Sequence, residues 1–159
     1  MSEYDPLNLK NQLCFPLYAA SREIIKRYKP FLDELDLTYT QYIAMMVFWE
    51  ERRVSAKTLG ERLLLDSGTL TPVLKSLETK GLICRTRSHE DERLLIAELT
   101  PQGEALREQA IDIPAQIASC VLLKPEEAAE LYRLLYKLLG RDPQATAAEC
   151  AAISLNEEK

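Results

Sequence analysis

The stretch Asp66–Gly103 constrains the fold of this 159-residue chain more than any other segment. Its first part, DSGTLTPVLKSLETKG, starts with small and polar residues, continues with apolar residues at helical spacing and ends in glycine. This pattern predicts a helix over Ser67–Lys80. Its second part, LICRTRSHEDERLLIAELT, predicts a two-stranded hairpin with arginines on its arms and charges at its tip. A helix that fits a major groove, followed by a β-ribbon, is the outline of a nucleic-acid-binding unit.

Two helices are predicted near the N-terminus. The first spans Leu9–Leu35, with Pro16 in its first turn and Pro30 at a kink or a break. The second begins near Thr38–Thr40 with a threonine cap. Because its sequence, YTQYIAMMVFWEE, is apolar on nearly all sides, we expect it to be the central core helix.

A third helix, in VSAKTLGERLLL, makes the unit a helix-turn-helix pair. Ser55 is its predicted N-cap, and Leu59, Leu63 and Leu64 are predicted to face inward. Only a few residues separate it from the helix over Ser67–Lys80, so the two are joined by a tight turn.

The residues after the hairpin predict two more amphipathic helices, Ala105–Ser119, which carries Pro114, and Pro125–Leu139. They have more apolar surface than a small winged-helix core can cover, so we assign them, with the N-terminal helix, to a dimer interface. The predicted fold is mostly α: a winged helix-turn-helix with N- and C-terminal helices forming a dimerisation region. The domain covers residues 1–139, with the DNA-reading part at about 55–100, dimerisation regions at 7–37 and 104–139, and a tail at 140–159.

Composition excludes several classes of protein. The net charge is −5, but residues 52–93 hold nine Lys or Arg and six Asp or Glu, so basic charge is concentrated around the predicted DNA-reading part. No apolar run reaches the roughly 18 residues of a membrane span, and MSEYDPLNLK is not a signal peptide, so we expect a cytoplasmic protein with no membrane partner. The four cysteines form no C-x-x-C, so we expect thiols and neither a metal nor a cofactor.

We call the helix predicted over Ser67–Lys80 the reading helix. Residues at its start and on the hairpin are the predicted DNA contacts. Hydroxyls and backbone N–H groups at a helix start can reach base edges and phosphates, and arginine on a ribbon can enter a narrow minor groove. The predicted contacts are Ser67, Gly68, Thr69, Thr71, Pro72, Lys75, Arg85, Arg87 and Arg93. We expect Asp91 to pair with Arg93 and to support the hairpin, which we call the wing. We assign no catalytic role to His89.

Cys14 lies near the start of the first helix, where the helix dipole favours thiolate over thiol. Several tyrosines that could stabilise a thiolate occur between residues 18 and 42. An isolated cysteine is more often a small buried apolar residue, and from composition alone that interpretation is favoured. Cys84 alternates with Arg85 and Arg87 along its strand, which predicts that Cys84 packs inward.

Four segments carry a family resemblance: LKNQLCFPLYAASRE, LTYTQYIAMMVFWE, LLLDSGTLTPVLKSLETKGLI and RTRSHEDERLLIAELTPQG. Over about residues 7–139 the chain resembles the MarR-type winged-helix repressors and, among them, the organic hydroperoxide-sensing OhrR group. The resemblance implies a homodimer that binds an inverted-repeat operator in double-stranded DNA and represses a peroxide-detoxifying gene.

The resemblance also implies the roles of individual residues. Cys14 matches the cysteine that organic hydroperoxide oxidises to a sulfenic acid. Tyr28 and Tyr39 match two tyrosines that hydrogen-bond this cysteine from the partner subunit. One subtype of the group uses an external thiol after oxidation, and the other uses a second, distant cysteine of the partner subunit. Cys120 lies near the position of that resolving cysteine, which favours the second subtype.

Three other functions are compatible with the residues. A pocket between the dimerisation and DNA-binding parts could bind a phenolic or other small ligand. A thiol peroxidase would use Cys14 as its nucleophile, but the sequence near Cys14 shows no arginine-and-threonine pair that would polarise a peroxide. The last is a winged helix that binds protein.

Overall fold

The computed structural model describes residues 5–88 and 94–141 and confirms a mostly helical winged helix-turn-helix. Its backbone divides into two compact units between Ala118 and Ser119. A 3-10 helix, Leu9–Asn11, is capped by Asn8. The α-helices are α1 Cys14–Glu34, α2 Tyr39–Glu51, α3 Ala56–Leu63, α4 Ser67–Thr79, α5 Pro101–Ala110, α6 Ile113–Ser119 and α7 Pro125–Leu138. The strands are β1 Arg53–Ser55, β2 Ile83–Arg87 and β3 Leu95–Leu99.

Helix α2 forms the centre of the first unit, as its sequence predicts. Thr38 caps it through a capping box: the Gln41 N–H donates to Thr38 Oγ1, and the Thr38 N–H donates to Gln41 Oε1. Phe48 and Met45 are fully buried. At its other end, the indole N–H of Trp49 donates to the carbonyl of Gly103 in α5 at 2.8 Å.

Helix α1 is longer and less buried than α2. It runs without interruption through Pro30, so the predicted break is absent, and Pro16 lies in its first turn as predicted. Of its residues only Leu32 is buried.

The helix-turn-helix consists of α3 and α4. Ser55 caps α3 as predicted, and Leu59 is fully buried. The prediction that Leu64 faces inward is wrong. Leu64 is the C-cap of α3 with a left-handed φ of 57°, which turns its side chain outward and leaves it 48% exposed.

Helix α4 starts and stops where its sequence predicts. Asp66 is its N-cap, and Gly81, at φ +72°, ends it. The N–H groups of Leu82 and Gly81 donate to the carbonyls of Leu77 and Glu78, which is the Schellman arrangement that glycine favours. A proline is expected only in the first turn of a helix, yet Pro72 is the sixth residue of α4, so that expectation is wrong here.

The wing is part of a three-stranded antiparallel sheet in the order β1-β3-β2. The hairpin of β2 and β3 is confirmed, and β1, which precedes α3, adds a strand that the sequence did not predict. The inward parity predicted for Cys84 is wrong. Ile83 is buried, so Cys84 projects to the opposite, exposed side, where it pairs with Glu98 on β3.

The helix predicted over Ala105–Ser119 is two helices, α5 and α6. Helix α5 begins at Pro101 and is capped by Thr100, whose hydroxyl accepts a hydrogen bond from the Gly103 N–H at 3.0 Å. Helix α6 begins one residue before Pro114. A proline ring supplies no N–H and clashes with the preceding turn, so the earlier helix ends before it.

Helix α7 belongs to the second unit and leaves its apolar stripe exposed, with Leu131 43%, Leu134 46% and Leu138 62% exposed. Within residues 5–88 and 94–141, no helix has the length and apolar character that crossing a membrane requires.

Candidate DNA-binding surface and cysteine site

Helix α4 presents the predicted contact residues on one exposed face. The buried face consists of Leu70, Leu74 and Leu77, which pack in the core. The exposed residues are the predicted contacts Ser67, Gly68, Thr69, Thr71, Pro72 and Lys75. A helix with a packed apolar side and a small, polar, cationic outer side can lie in a major groove.

The first turn of α4 is fixed by its cap. Asp66 Oδ1 accepts the Thr69 N–H at 2.9 Å, and Asp66 Oδ2 accepts the Thr69 hydroxyl at 3.1 Å. These hydrogen bonds, above all the one from the Thr69 N–H, hold the pKa of the Asp66 carboxyl below its usual value. Thr71 Oγ1 donates to the Ser67 carbonyl at 2.7 Å, which orients that side chain against its own helix.

The wing arginines differ in their surroundings. Arg85 is half-buried, and its guanidinium pairs with Glu78 of α4. Arg87 is exposed at the end of β2, where the Ser88 N–H donates to the Leu94 carbonyl at 2.9 Å. Arg93, Asp91 and His89 lie outside the described residues. Sequence reasoning missed Glu78 as a partner of the wing.

Cys14 is the first residue of α1, and its side chain is exposed. Its surroundings are apolar and also exposed: Leu13 is 71%, Phe15 46% and Tyr18 59% exposed. The interpretation of Cys14 as a buried apolar residue is therefore wrong for the single chain. A thiol in this position is open to reagents in solution.

Tyr28 and Tyr39 lie together, on α1 and at the start of α2. Their ring centroids are 5.0 Å apart at 62°, and Tyr42 lies 5.8 Å from Tyr28. Burial raises the pKa of Tyr28 and of Tyr39, so both phenols keep their protons at neutral pH and can donate hydrogen bonds.

Cys14 and Tyr28 cannot meet within one chain. Both lie on the uninterrupted helix α1, and 14 residues at 1.5 Å each separate them by about 21 Å. A contact between Cys14 and the tyrosine pair therefore requires a second copy of the chain.

Cys120 follows α6 directly and belongs to the second unit. It is exposed, and its Sγ lies 4.0 Å from the hydroxyl of Ser119. Cys150 lies outside the described residues. Among residues 5–88 and 94–141, no three His, Cys, Asp or Glu side chains are grouped as a metal site requires.

Comparison with known proteins identifies the family. Residues 26–110 match the family described as transcriptional regulator SarA/Rot. The chain is 49% identical over 138 residues to the organic hydroperoxide resistance transcriptional regulator of Bacillus subtilis. The aligned residues cover 87% of this chain and 94% of that relative. The chain belongs to the MarR/SarA-type winged-helix transcriptional regulators, in the organic hydroperoxide-sensing group. As a member of this family it is a regulator and not an enzyme, which removes the thiol peroxidase from the alternatives.

Solved structures of AbfR agree with this placement. AbfR in its reduced form bound to DNA is 36% identical, with a TM-score of 0.71 over 83% of this chain and 91% of AbfR. AbfR with a disulfide formed is 37% identical, with a TM-score of 0.62 over 82% of this chain and 92% of AbfR.

Proposed function

We propose that this regulator is a homodimeric repressor that releases its operator in double-stranded DNA when an organic hydroperoxide oxidises Cys14. The observation that carries the proposal is the exposure of the Cys14 thiol at the first residue of α1, in a regulator whose α4 presents a DNA-reading face. It acts in the cytoplasm, where thiols stay reduced and operator DNA is present.

The dimer brings Cys14 to the tyrosines of the partner subunit. Apolar side chains of α1 and α7 are exposed in the single chain, and a second copy would remove them from water. Since one chain separates Cys14 from Tyr28 by about 21 Å, pairing between subunits is the arrangement that places protonated Tyr28 and Tyr39 beside the thiolate.

The chemistry is a two-electron oxidation. The Cys14 thiolate attacks the terminal oxygen of the hydroperoxide, the S–O bond forms as the O–O bond breaks, and the alkoxide takes up a proton and leaves as the alcohol. The sulfenic acid then reacts with the Cys120 thiol of the partner subunit, which forms the disulfide and releases water. Thiol reductants reduce this disulfide and return Cys14 and Cys120 to free thiols.

Oxidation weakens operator binding by changing the position of the two reading helices. A dimer on an inverted repeat needs its two α4 helices about one helical turn of DNA apart, or about 34 Å. Loss of the thiolate removes an acceptor from the phenols of Tyr28 and Tyr39, and the disulfide constrains α1 against the segment after α6. Either change displaces α4 from the operator spacing.

A duplex selected from random sequence with the reduced protein provides the operator for the test. Cys14→Ser keeps a hydroxyl oxygen that accepts hydrogen bonds from the phenols, so it should bind this duplex with the affinity of the reduced wild type and keep it after cumene hydroperoxide. Cys84→Ser is the matched control, because it removes another exposed thiol and should still release the duplex. If Cys14→Ser releases the duplex on oxidation, Cys14 is not the sensor.

A small ligand as the trigger is the second candidate. A cavity of about 550 Å³ lies between α1 and the start of α2. Apolar residues such as Ile25, Leu37 and Tyr39 line it together with the charged residues Arg22, Glu23, Lys26, Lys29 and Asp33. That volume suits a drug-sized molecule. Release of the duplex from Cys14→Ser by a phenolic carboxylate such as salicylate, with no oxidant present, would favour this function.

A further inference from the structure

Gln41 is a buried polar residue that connects two helices. It is 7% exposed. Among residues 5–88 and 94–141, it is the only residue with a polar or charged side chain that is classed as buried. Its Nε2 donates to Ser76 Oγ on α4 at 2.9 Å, and its Oε1 accepts the Thr38 N–H at 3.0 Å. Burying an amide is costly unless both ends are hydrogen-bonded, and here both are.

Ser76 lies within the DNA-reading helix. It is half-buried and follows Lys75, a predicted DNA contact on the exposed face. A salt bridge also joins the end of α4 to the turn between α1 and α2, since Lys80 Nζ lies 2.9 Å from Asp36 Oδ2. A cavity of about 290 Å³ flanks Asp36 and Lys80, so these side chains are not enclosed by close packing at that end.

The other end of the link lies next to the tyrosine pair. Tyr39 is the first residue of α2, and Gln41 is the third. The capping box ties Gln41 to Thr38 through both its backbone and its side chain, so the residues on either side of Tyr39 and Thr40 are held to each other. A displacement of Tyr39 therefore displaces the amide that holds Ser76.

We propose that Gln41 and Ser76 are the coupling residues that transmit the state of Cys14 to the reading helix. This inference rests on the proposed function. In the reduced dimer the hydrogen bond holds α4 in the position that reads the operator. When oxidation of Cys14 removes the acceptor beside Tyr39, the first turn of α2 shifts, the bond to Ser76 breaks, and α4 loses this restraint.

The coupling is measured as a ratio: the Kd for the selected duplex after cumene hydroperoxide, divided by the Kd of the reduced protein. Ser76→Ala removes the hydroxyl and leaves the capping box intact. Since the variant has no bond to lose on oxidation, we expect its ratio to be roughly 2- to 30-fold smaller than that of the wild type. Ser76→Thr keeps a hydroxyl and should restore the ratio.

Thr79→Ala is the matched control. It removes another hydroxyl from α4, one that donates to the Lys75 carbonyl of its own helix at 2.9 Å and not to α2. Its ratio should equal that of the wild type, whatever its reduced affinity.

The possible results separate the two proposals. If the wild type keeps the duplex after oxidation, the proposed function fails and this inference fails with it. If the wild type releases it and Ser76→Ala has an unchanged ratio, the coupling role alone is overturned. A lower melting temperature of Ser76→Ala with an unchanged ratio also overturns the coupling role, because the bond would then be only structural.

Discussion

The guanidinium of Arg85, on the wing, is bound by the carboxylate of Glu78, on the reading helix. Arg85 Nε and Nη2 lie 2.9 and 2.6 Å from Glu78 Oε2, and the Arg85 backbone N–H donates to Oε1 at 3.0 Å. The side-chain hydrogen bonds from Arg85 hold the pKa of Glu78 below its usual value. One carboxylate thus fixes both the main chain and the side chain of β2 against α4, which sets the angle between wing and helix.

Glu78→Ala should weaken DNA binding several-fold, although it removes a negative charge. If Arg85 were a phosphate contact restrained by Glu78, releasing it would strengthen binding instead. If Glu78 positions the wing, the released strand loses its angle to α4 and affinity falls. The Kd for the selected duplex, measured by fluorescence anisotropy at several salt concentrations, distinguishes these two signs.

The control for this prediction is Glu61→Ala, which removes an exposed carboxylate from α3. It should bind DNA slightly more tightly because the electrostatic repulsion between the protein and the DNA phosphates falls. Arg85→Ala should weaken binding with an unchanged salt dependence, whereas loss of a phosphate contact would lower the slope by about 0.9 per site. A lower slope for Arg85→Ala would assign Arg85 to the DNA and not to the wing.

Lys75→Ala tests the exposed face of α4. A lysine that neutralises a phosphate releases a counterion, so its loss should lower the salt slope of binding by about 0.9 per reading helix. It should weaken binding to the selected duplex and to unrelated DNA alike, because phosphate contacts carry no sequence information. Lys137→Ala, on α7, makes the same change in net charge and should leave the slope unchanged. Equal slopes for Lys75→Ala and the wild type would remove Lys75 from the interface.

The fold was predictable where local signals were strong. Thr38, Ser55 and Gly81 mark helix ends through caps that depend on a few neighbouring residues. Strand β1 was missed because it has three residues and exists through pairing with β3, more than forty residues later in the chain. Leu64 was misassigned since helical periodicity does not show where a left-handed cap turns the chain.

The candidate site was predictable to a smaller extent. The face of α4 follows from periodicity, and the structure exposes its predicted residues together. The partners of Arg85 and Ser76 lie seven and 35 residues away in the chain, and only tertiary packing brings them together. Arginine on a wing suggests a DNA contact from sequence, and only the structure shows that Arg85 also pairs with Glu78.

Cys120 determines the subtype of the switch. If it resolves the sulfenic acid of Cys14 in the partner subunit, oxidation with cumene hydroperoxide should produce a covalent dimer on non-reducing electrophoresis, reversed by dithiothreitol. Cys14→Ser and Cys120→Ser should each lose this species, and Cys84→Ser should keep it. A covalent dimer that persists in Cys120→Ser would assign the bond to another cysteine, and oxidised wild type without one would place the protein in the subtype that uses an external thiol.

Tyr42 should make the protein sensitive to alkaline pH. This residue is 1% exposed, and burial, with a smaller effect from nearby Tyr28 and Tyr39, raises its pKa to about 12. The unfolded chain ionises this phenol near pH 10, so between pH 10 and about 12 the folded state binds more protons and stability falls as pH rises. Two pKa units at about 1.4 kcal/mol each make the full effect about 3 kcal/mol in the free energy of unfolding.

Tyr42→Phe lacks this titration, so its stability should fall less than that of the wild type between pH 9 and pH 11.5. Urea unfolding followed by the fluorescence of Trp49, whose ring lies 6.3 Å from Tyr42, measures the difference at one fixed concentration of the dimer. Tyr18→Phe is the control, since Tyr18 is 59% exposed and should give the wild-type pH dependence. If Tyr42→Phe loses as much stability as the wild type over this range, the phenol of Tyr42 ionises in the folded protein as readily as in the unfolded chain.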